Sequence, residues 1–426
     1  MRIEELYSIF QQYPSVQTDT RQLKTGDIFF ALKGPNFNGN HFVAKAFEMG
    51  AVYAIIDEAT ALLDDRTILV EDVLETLQDL ARYHRQQLSI PFLAITGSNG
   101  KTTTKELIHA VLSTTFRTYT TTGNLNNHIG VPLTLLKIKN DAEMAVIEMG
   151  ANHQQEIASY CKVALPTHGL ITNCGKAHLE GFGGEEGVRK GKGELFDFLR
   201  GNNGAAFIMK DYDYLQDMSR QIKEIFTYGT IEGDIVGTAT ASDPFLITHF
   251  TKGFSGTIAT QLVGSYNLPN VLAAVAVGKY FNIEDTLIRT ALETYTPTNS
   301  RSQLVRRGSN IIILDAYNAN PSSMKLAIEN FAKTQADNKV LVLGAMAELG
   351  AESLEEHRQL VEEINKYQWK EVLLVGGDFI KITHPFHALH NAEEAGKWLQ
   401  NHAFASTHFL LKGSRSTGME KVLDFI

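Results

Sequence analysis

The run Phe92-Leu-Ala-Ile-Thr96, Gly97-Ser-Asn-Gly-Lys-Thr-Thr103, Thr104-Lys-Glu-Leu-Ile-His-Ala-Val-Leu112 leaves the chain few ways to fold. An apolar strand enters a glycine loop, and the loop enters helical spacing with no linker between them. Glycines let successive backbone N–H groups converge on one point, the new helix adds its positive end, and Lys101 adds a mobile charge. The pattern predicts a phosphate-binding loop built from Gly97, Ser98, Asn99, Gly100, Lys101, Thr102 and Thr103, with the Thr102 hydroxyl set for Mg²⁺. Ile95 stands where the strict pattern has glycine, so the match is to its Gly-Lys-Thr end. The other reading is a glycine turn that only joins a strand to a helix.

A chain of 426 residues exceeds one ordinary domain, and the patterning divides it into three α/β units. Residues 1–88 hold a strand signal over Asp27–Lys33, helical spacing over Val43–Met49 ending at Gly50, a strand over Val52–Ile56 and an amphipathic helix over 73–88. In 89–297, the apolar runs Met144–Met149, Gly169–Thr172 and Ala205–Met209 alternate with helical patterns, which predicts a mainly parallel central sheet. Between Ile231 and Val263 the pattern becomes Thr- and Gly-rich, which suggests an antiparallel appendage before a helix over Pro269–Tyr280. In 298–426, strand signals at Ile311–Asp315, Val340–Leu343 and Val372–Val375 each precede helical sequence, as in a doubly wound, Rossmann-like domain.

Charge narrows the partners. Lys+Arg 39 against Asp+Glu 48 gives a net charge of −9, so no general positive field holds nucleic acid or an anionic membrane. No apolar run reaches the length of a spanning helix, so no membrane insertion is expected. The N-terminus lacks a secretory apolar region, and Cys161 and Cys174 suit neither a disulfide framework nor zinc, so the expected compartment is the cytoplasm.

Three further residues bear on chemistry. Glu148 ends an apolar strand, where a carboxylate either binds a cation or reaches solvent. His178 sits in a loop beyond a strand end, a place where open sheets hold ligands, although a solvated histidine reads the same way. Lys190 and Lys192 lie two apart on a helix, hence on nearly opposite faces, so at most one turns toward a phosphate site.

Together these residues resemble the Mur ligase family, the ATP-dependent amino-acid ligases of peptidoglycan precursor synthesis, and the resemblance spans essentially the whole chain. It implies that Lys101, Glu148, His178 and Lys192 are catalytic, and that Thr102, Glu148, His178 and Lys192 hold two Mg²⁺ ions, Lys192 as a carbamate with Lys190 as its alternate. Gly264-Ser-Tyr-Asn-Leu-Pro-Asn270 is similar to the family's adenine segment with Tyr266 in place of histidine, which leaves Asn267 and Asn270 as the ATP contacts. Arg301, Asp315 and Tyr317 match positions that meet the nucleotide from the last domain. Thr18–Arg21 and Gly39–Phe42 resemble the family's UDP-sugar module, so Thr20, Arg21, Asn40 and His41 would face the uridine diphosphate.

Asn124-Leu-Asn-Asn-His-Ile-Gly-Val-Pro-Leu133, which contributes Asn126 and Asn127 as substrate contacts, together with Ala347-Glu-Leu-Gly350, His357 and Lys412-Gly-Ser-Arg415, is similar to members that use D-alanyl-D-alanine. Ala345 departs from their Gly-Asp-Met string. The resemblance implies a monomer whose partners are UDP-MurNAc-tripeptide and D-alanyl-D-alanine, joined through an acyl phosphate, with a hinge closing near Pro297. Alternatives are a sibling ligase adding the third residue, a folylpolyglutamate synthase-like ligase, a nucleotide-hydrolysing switch and a non-catalytic UDP-sugar-binding protein.

Overall fold

The computed structural model describes residues 1–298 and 300–426. The first unit is a four-stranded parallel sheet in the order Val16–Gln17, Ile28–Phe30, Tyr53–Ile56, Thr67–Leu69. The single strand expected over Asp27–Lys33 is shorter. The chain leaves the sheet after Phe30, and Lys33–Gly34 pairs antiparallel with Phe37–Asn38 in a separate hairpin. Gly39 fits there because a Cβ on it would lie 2.6 Å from the Ala31 carbonyl carbon.

The central unit is a nine-stranded sheet. From one edge its order is Thr118–Thr120, Met144–Glu148, Phe92–Thr96, His168–Ile171, Ala205–Met209, Glu224–Gly229, Ile235–Ser242, Phe245–Lys252, Gly256–Val263. The first seven strands are parallel, and the seventh, Ile235–Ser242, also begins an antiparallel meander with the remaining two. The appendage expected over 231–263 is therefore a continuation of the central sheet. Its first strand pairs with Glu224–Gly229 through Tyr228–Ile235 and Gly229–Val236.

Phe92–Thr96 lies between two parallel neighbours and is wholly buried, which explains its unbroken apolar sequence. The helix Lys101–Leu112 follows it directly. Against this packs Leu268–Tyr280, a helix buried on nearly every face from Leu268 to Gly278, as its uninterrupted Val-Leu-Ala-Ala-Val-Ala-Val-Gly sequence dictates.

The last unit is a six-stranded sheet in the order Gln303–Arg307, Asn310–Asp315, His408–Lys412, Lys339–Gly344, Glu371–Val375, His387–Leu389. All neighbours are parallel except the first pair. Alternate residues of one strand enter different cores, with Leu341 and Leu343 on one face and Val340 and Val342 on the other. Helices therefore cover both faces, the doubly wound arrangement. The loops after Asp315, Gly344, Val375 and Lys412 all leave the carboxyl edge, where such sheets bind ligands.

Candidate active site

The candidate phosphate loop is drawn tight by its neighbours. Gly97 has φ +143°, and a Cβ there would come 2.0 Å from Thr172 Oγ1, so the close approach of two strand ends requires glycine. Gly100, at φ +79°, begins the helix and could not take a side chain without striking Asn270 Oδ1. Asn173 braces the loop: its Oδ1 accepts from Asn99 N at 3.1 Å and its Nδ2 donates to Asn99 O at 3.1 Å. Lys101 curls back, its Nζ donating to Gly97 O at 2.6 Å and Ser98 O at 3.2 Å. Burial holds its amine below the usual lysine range, against the pull of Glu148, and Arg301 adds to the lowering.

Glu148 is 2 % exposed. Its Oε1 accepts from Asn126 Nδ2 at 2.8 Å and its backbone N–H donates to Thr121 Oγ1 at 3.0 Å, but its Oε2 is buried without a partner among the described residues. Such an oxygen is costly unless something cationic meets it. Asn127 plays a different part, its Oδ1 accepting from Ile129 N and Gly130 N at the start of the helix Gly130–Leu135.

Of the two lysines on the helix Glu185–Gly201, Lys190 is exposed and Lys192 is 1 % exposed. Lys192 Nζ donates to Ala151 O at 2.8 Å and sits 4.8 Å from the centre of the Phe182 ring. Burial first, and then the charge of Lys101, bring its amine down to about 7. Lys192 is therefore the inward lysine.

The last unit reaches this centre from across the junction. Asn320 Nδ2 donates to Asn99 Oδ1 at 2.8 Å, Lys176 Nζ meets Glu356 Oε1 at 2.7 Å, and His178 Nδ1 lies 2.5 Å from Glu348 Oε2. His178 has φ +52° and Glu348 has φ +61°, an uncommon conformation for both. Arg301 stacks on Tyr317 at 3.7 Å with its Nε buried and unpartnered among the described residues. Asp315 is engaged by Lys412 Nζ at 2.5 Å and Ser302 N at 3.2 Å.

Some expected contacts are taken up within the protein. Asn270 Nδ2 donates to Asn267 Oδ1 at 2.9 Å, Asn267 Nδ2 donates to Val263 O at 2.9 Å, and Asn270 Oδ1 accepts from Thr104 Oγ1 at 3.0 Å. The pair thus props the back of the phosphate loop. Tyr266, in histidine's place, is half-buried and bonds Ser302 Oγ at 2.9 Å, which ties this segment to the residue beside Arg301.

In the first unit, both amide hydrogens of Asn40 are committed, to Asn38 Oδ1 at 2.9 Å and Asp57 Oδ1 at 2.8 Å, so Asn40 keeps no donor for a diphosphate. Arg21 is exposed and paired with Asp19, whose carboxyl it holds down to about 2; His41 is exposed and Thr20 half-buried. None of these four hydrogen-bonds the phosphate loop among the described residues.

Lys105 and Thr121 carry no motif in the sequence, and Asn173, Asn320 and Glu348 lie within motif strings that assign them no individual role. Lys105 is 3 % exposed, and its Nζ donates to Thr121 O at 2.8 Å, clamping the stretch that holds Glu148. A lysine four residues after Lys101 lies on the same helical face, which was the one available signal.

Comparison with known proteins matches the chain to the Mur ligase family, catalytic domain, over residues 12–85, to the Mur ligase middle domain over 95–278, and to the Mur ligase, glutamate ligase domain over 300–415. A UDP-N-acetylmuramoyl-tripeptide–D-alanyl-D-alanine ligase of Bacillus subtilis is 40 % identical over 341 residues, covering 79 % of this chain and 74 % of the relative. The ligase of the same name from Escherichia coli is 35 % identical, covering 96 % of this chain and 92 % of its own. The crystal structure of MurF ligase from Thermotoga maritima in complex with ADP superposes with a TM-score of 0.86 at 28 % identity, covering 96 % of each chain.

Proposed function

The chain belongs to the Mur ligase family, and from that premise we propose how its residues carry out the reaction. It is an ATP-dependent ligase that joins D-alanyl-D-alanine to UDP-MurNAc-tripeptide in peptidoglycan precursor synthesis. Amide formation from a carboxylate in water is uphill, and the carboxylate itself resists attack because it is already negative. Transfer of the ATP γ-phosphoryl group to the tripeptide's terminal carboxylate gives an acyl phosphate. The dipeptide amine then attacks the acyl carbon and expels phosphate.

The observation that carries this reading is the junction itself: a phosphate loop and a buried carboxylate with a free oxygen on one side, and Asn320 bonded to Asn99 from the other. Lys101 and Arg301 supply positive charge to the transferring group, and the loop's N–H groups orient it. Glu148 Oε2 and the Thr102 hydroxyl suit a hard cation that prefers oxygen, so the residues fit Mg²⁺. When bound, Mg²⁺ neutralises phosphate charge and helps hold the nucleotide's geometry. His178 and Lys192 complete a second cation position, for which Lys192 is prepared by an amine poised to lose its proton and take up CO₂ as a carbamate.

Asn267 and Asn270 act in this reading by shaping the loop from behind, with the ATP base lying against their segment. Thr20, Arg21 and His41 present the sugar nucleotide's diphosphate with donors, while Asn40 shapes their loop. Asn126 orients Glu148, and Asn127 builds the turn beside the acid. Tyr317 stacks on Arg301, and Asp315 holds the neighbouring Ser302 through its backbone N–H. The units divide at about residues 88 and 297, the enzyme acts as a monomer in the cytoplasm, and the contacts across the junction are those of the closed state that excludes water. Among the described residues no helix is long and apolar enough to cross a membrane.

Phosphate release tests the reading. It should require ATP, UDP-MurNAc-tripeptide and D-alanyl-D-alanine together, with tripeptides ending in diaminopimelate and in lysine compared side by side. Release at the same rate without the acid or the dipeptide would refute the acyl-phosphate ligase in favour of plain hydrolysis.

A further inference from the structure

Two strings that the phosphate chemistry does not use, Ala347-Glu-Leu-Gly350 and Lys412-Gly-Ser-Arg415, are far apart in sequence and adjacent in space. Their strands, Lys339–Gly344 and His408–Lys412, are parallel neighbours, so both loops leave the same sheet edge. Ala347 N donates to Ser414 Oγ at 2.8 Å and Ser414 N to Ala345 O at 3.2 Å, which locks the loops together. The first loop is also pinned from below: Met346 N donates to Nε2 of the fully buried His357 at 3.1 Å.

One residue beyond this lock, each loop carries an exposed charge, Glu348 on one and Arg415 on the other. Glu348 is held at φ +61° with one carboxylate oxygen 2.5 Å from His178 Nδ1, at the edge of the phosphate centre. Its other oxygen has no partner among the described residues. Arg415 stands 5.5 Å from the centre of the Tyr317 ring that Arg301 covers, and no carboxylate lies within ion-pair distance of it among the described residues.

We propose that Glu348 and Arg415 are the two ends of the amine-acceptor subsite, Glu348 receiving the ammonium and Arg415 the terminal carboxylate of a zwitterionic dipeptide. The assignment rests on the ligase reading above. A dipeptide carries opposite charges at its two ends, and the paired loops offer the complementary pair on one rigid edge. Glu348 keeps the amine end beside His178, where the acid is activated. The guanidinium fork matches a carboxylate in shape as well as charge. A substrate zwitterion meeting one acid and one base brings no net charge into the junction.

The test is steady-state kinetics on Glu348→Gln and Arg415→Met with the intact enzyme, using D-alanyl-D-alanine and its C-terminal amide as probes. Glu348→Gln should raise the dipeptide KM about 10- to 30-fold while the KM values for ATP and tripeptide stay within about 2-fold. The wild type should prefer the free acid to the amide by about 10- to 30-fold, and Arg415→Met should reduce that preference to about 1. Arg415→Lys should restore part of it.

A dipeptide KM unmoved by Glu348→Gln, or a variant at 415 that still discriminates acid from amide, overturns the subsite. Equal increases in all three KM values also overturn it, because they mark Glu348 as a domain contact alone. Wild-type phosphate release that ignores the dipeptide refutes the ligase reading instead, so the two failures are distinct.

Discussion

Asn126 Nδ2 donates to Glu148 Oε1 at 2.8 Å and so fixes that buried carboxylate with its other oxygen left without a protein partner among the described residues. A side chain that aims a cation ligand is felt in cation affinity before it is felt in the chemistry. Asn126→Ala should raise the Mg²⁺ concentration for half-maximal activity by about 10-fold. Saturating Mg²⁺ should recover most of kcat. A magnesium titration of both proteins is the check, and an unchanged midpoint would separate Asn126 from cation binding.

Lys192 makes a prediction about pH. Its amine is brought down to about 7, so it is charged and inert to CO₂ below that pH and neutral above it. Activation by added bicarbonate should therefore grow as pH rises from about 6 to about 8, and Lys192→Arg, which keeps its charge, should show none. The unfolded chain holds this proton up to the ordinary lysine range, so it binds more protons than the native state above pH about 7. Stability without bicarbonate should accordingly rise with pH from about 7 to about 10. Lys192→Met should flatten that rise in urea unfolding.

The junction is bridged by contacts that join distant parts of the chain. Glu356 is 6 % exposed and has Lys176 as its cation at 2.7 Å, while Asn320 holds Asn99 at 2.8 Å. Lys176→Met with Asn320→Ala should favour separated domains. Small-angle scattering with tripeptide and an ATP analogue should then show a larger radius of gyration than the wild type under the same conditions. Equal radii would mean that other contacts suffice to hold the closed arrangement.

Lys412 and Asp315 form a pair whose side chains are 3 % and 16 % exposed, separated by 2.5 Å. Removing the cation leaves a largely buried carboxylate without its charge partner, so Lys412→Met should cost about 3 kcal/mol of stability. Adding Asp315→Asn should restore part of the loss. Urea unfolding of the single and double variants measures both, and additive losses would show that the two groups act independently.

What could be read in advance depended on burial and locality. Phe92–Thr96 and Ala205–Met209 have the predicted bounds because every residue in them is buried and the apolar runs are unbroken. Thr118–Thr120, Gln303–Arg307 and His387–Leu389 carry no clear strand signal because they are half-exposed strands with mixed side chains, all three at sheet edges. His408–Lys412 is buried and central, yet its apolar stretch Phe409–Leu411 is too short to declare a strand by periodicity. Helical spacing separated Lys190 from Lys192 without saying which turns inward, since that depends on what the helix packs against.

By itself the sequence determined the local events: a strand that must be buried, a glycine turn that must follow it, and a helix that must start at once. Those follow from side-chain volume, backbone sterics and hydrogen bonding between near neighbours. Only the tertiary structure decided that Asn270 fills the space behind Gly100, that both amide hydrogens of Asn40 are spent internally, and that Glu348 meets His178. Those pairings join residues on different elements. Their partners are chosen by how sheets and helices dock, a property of the whole packing that no single stretch of the chain contains.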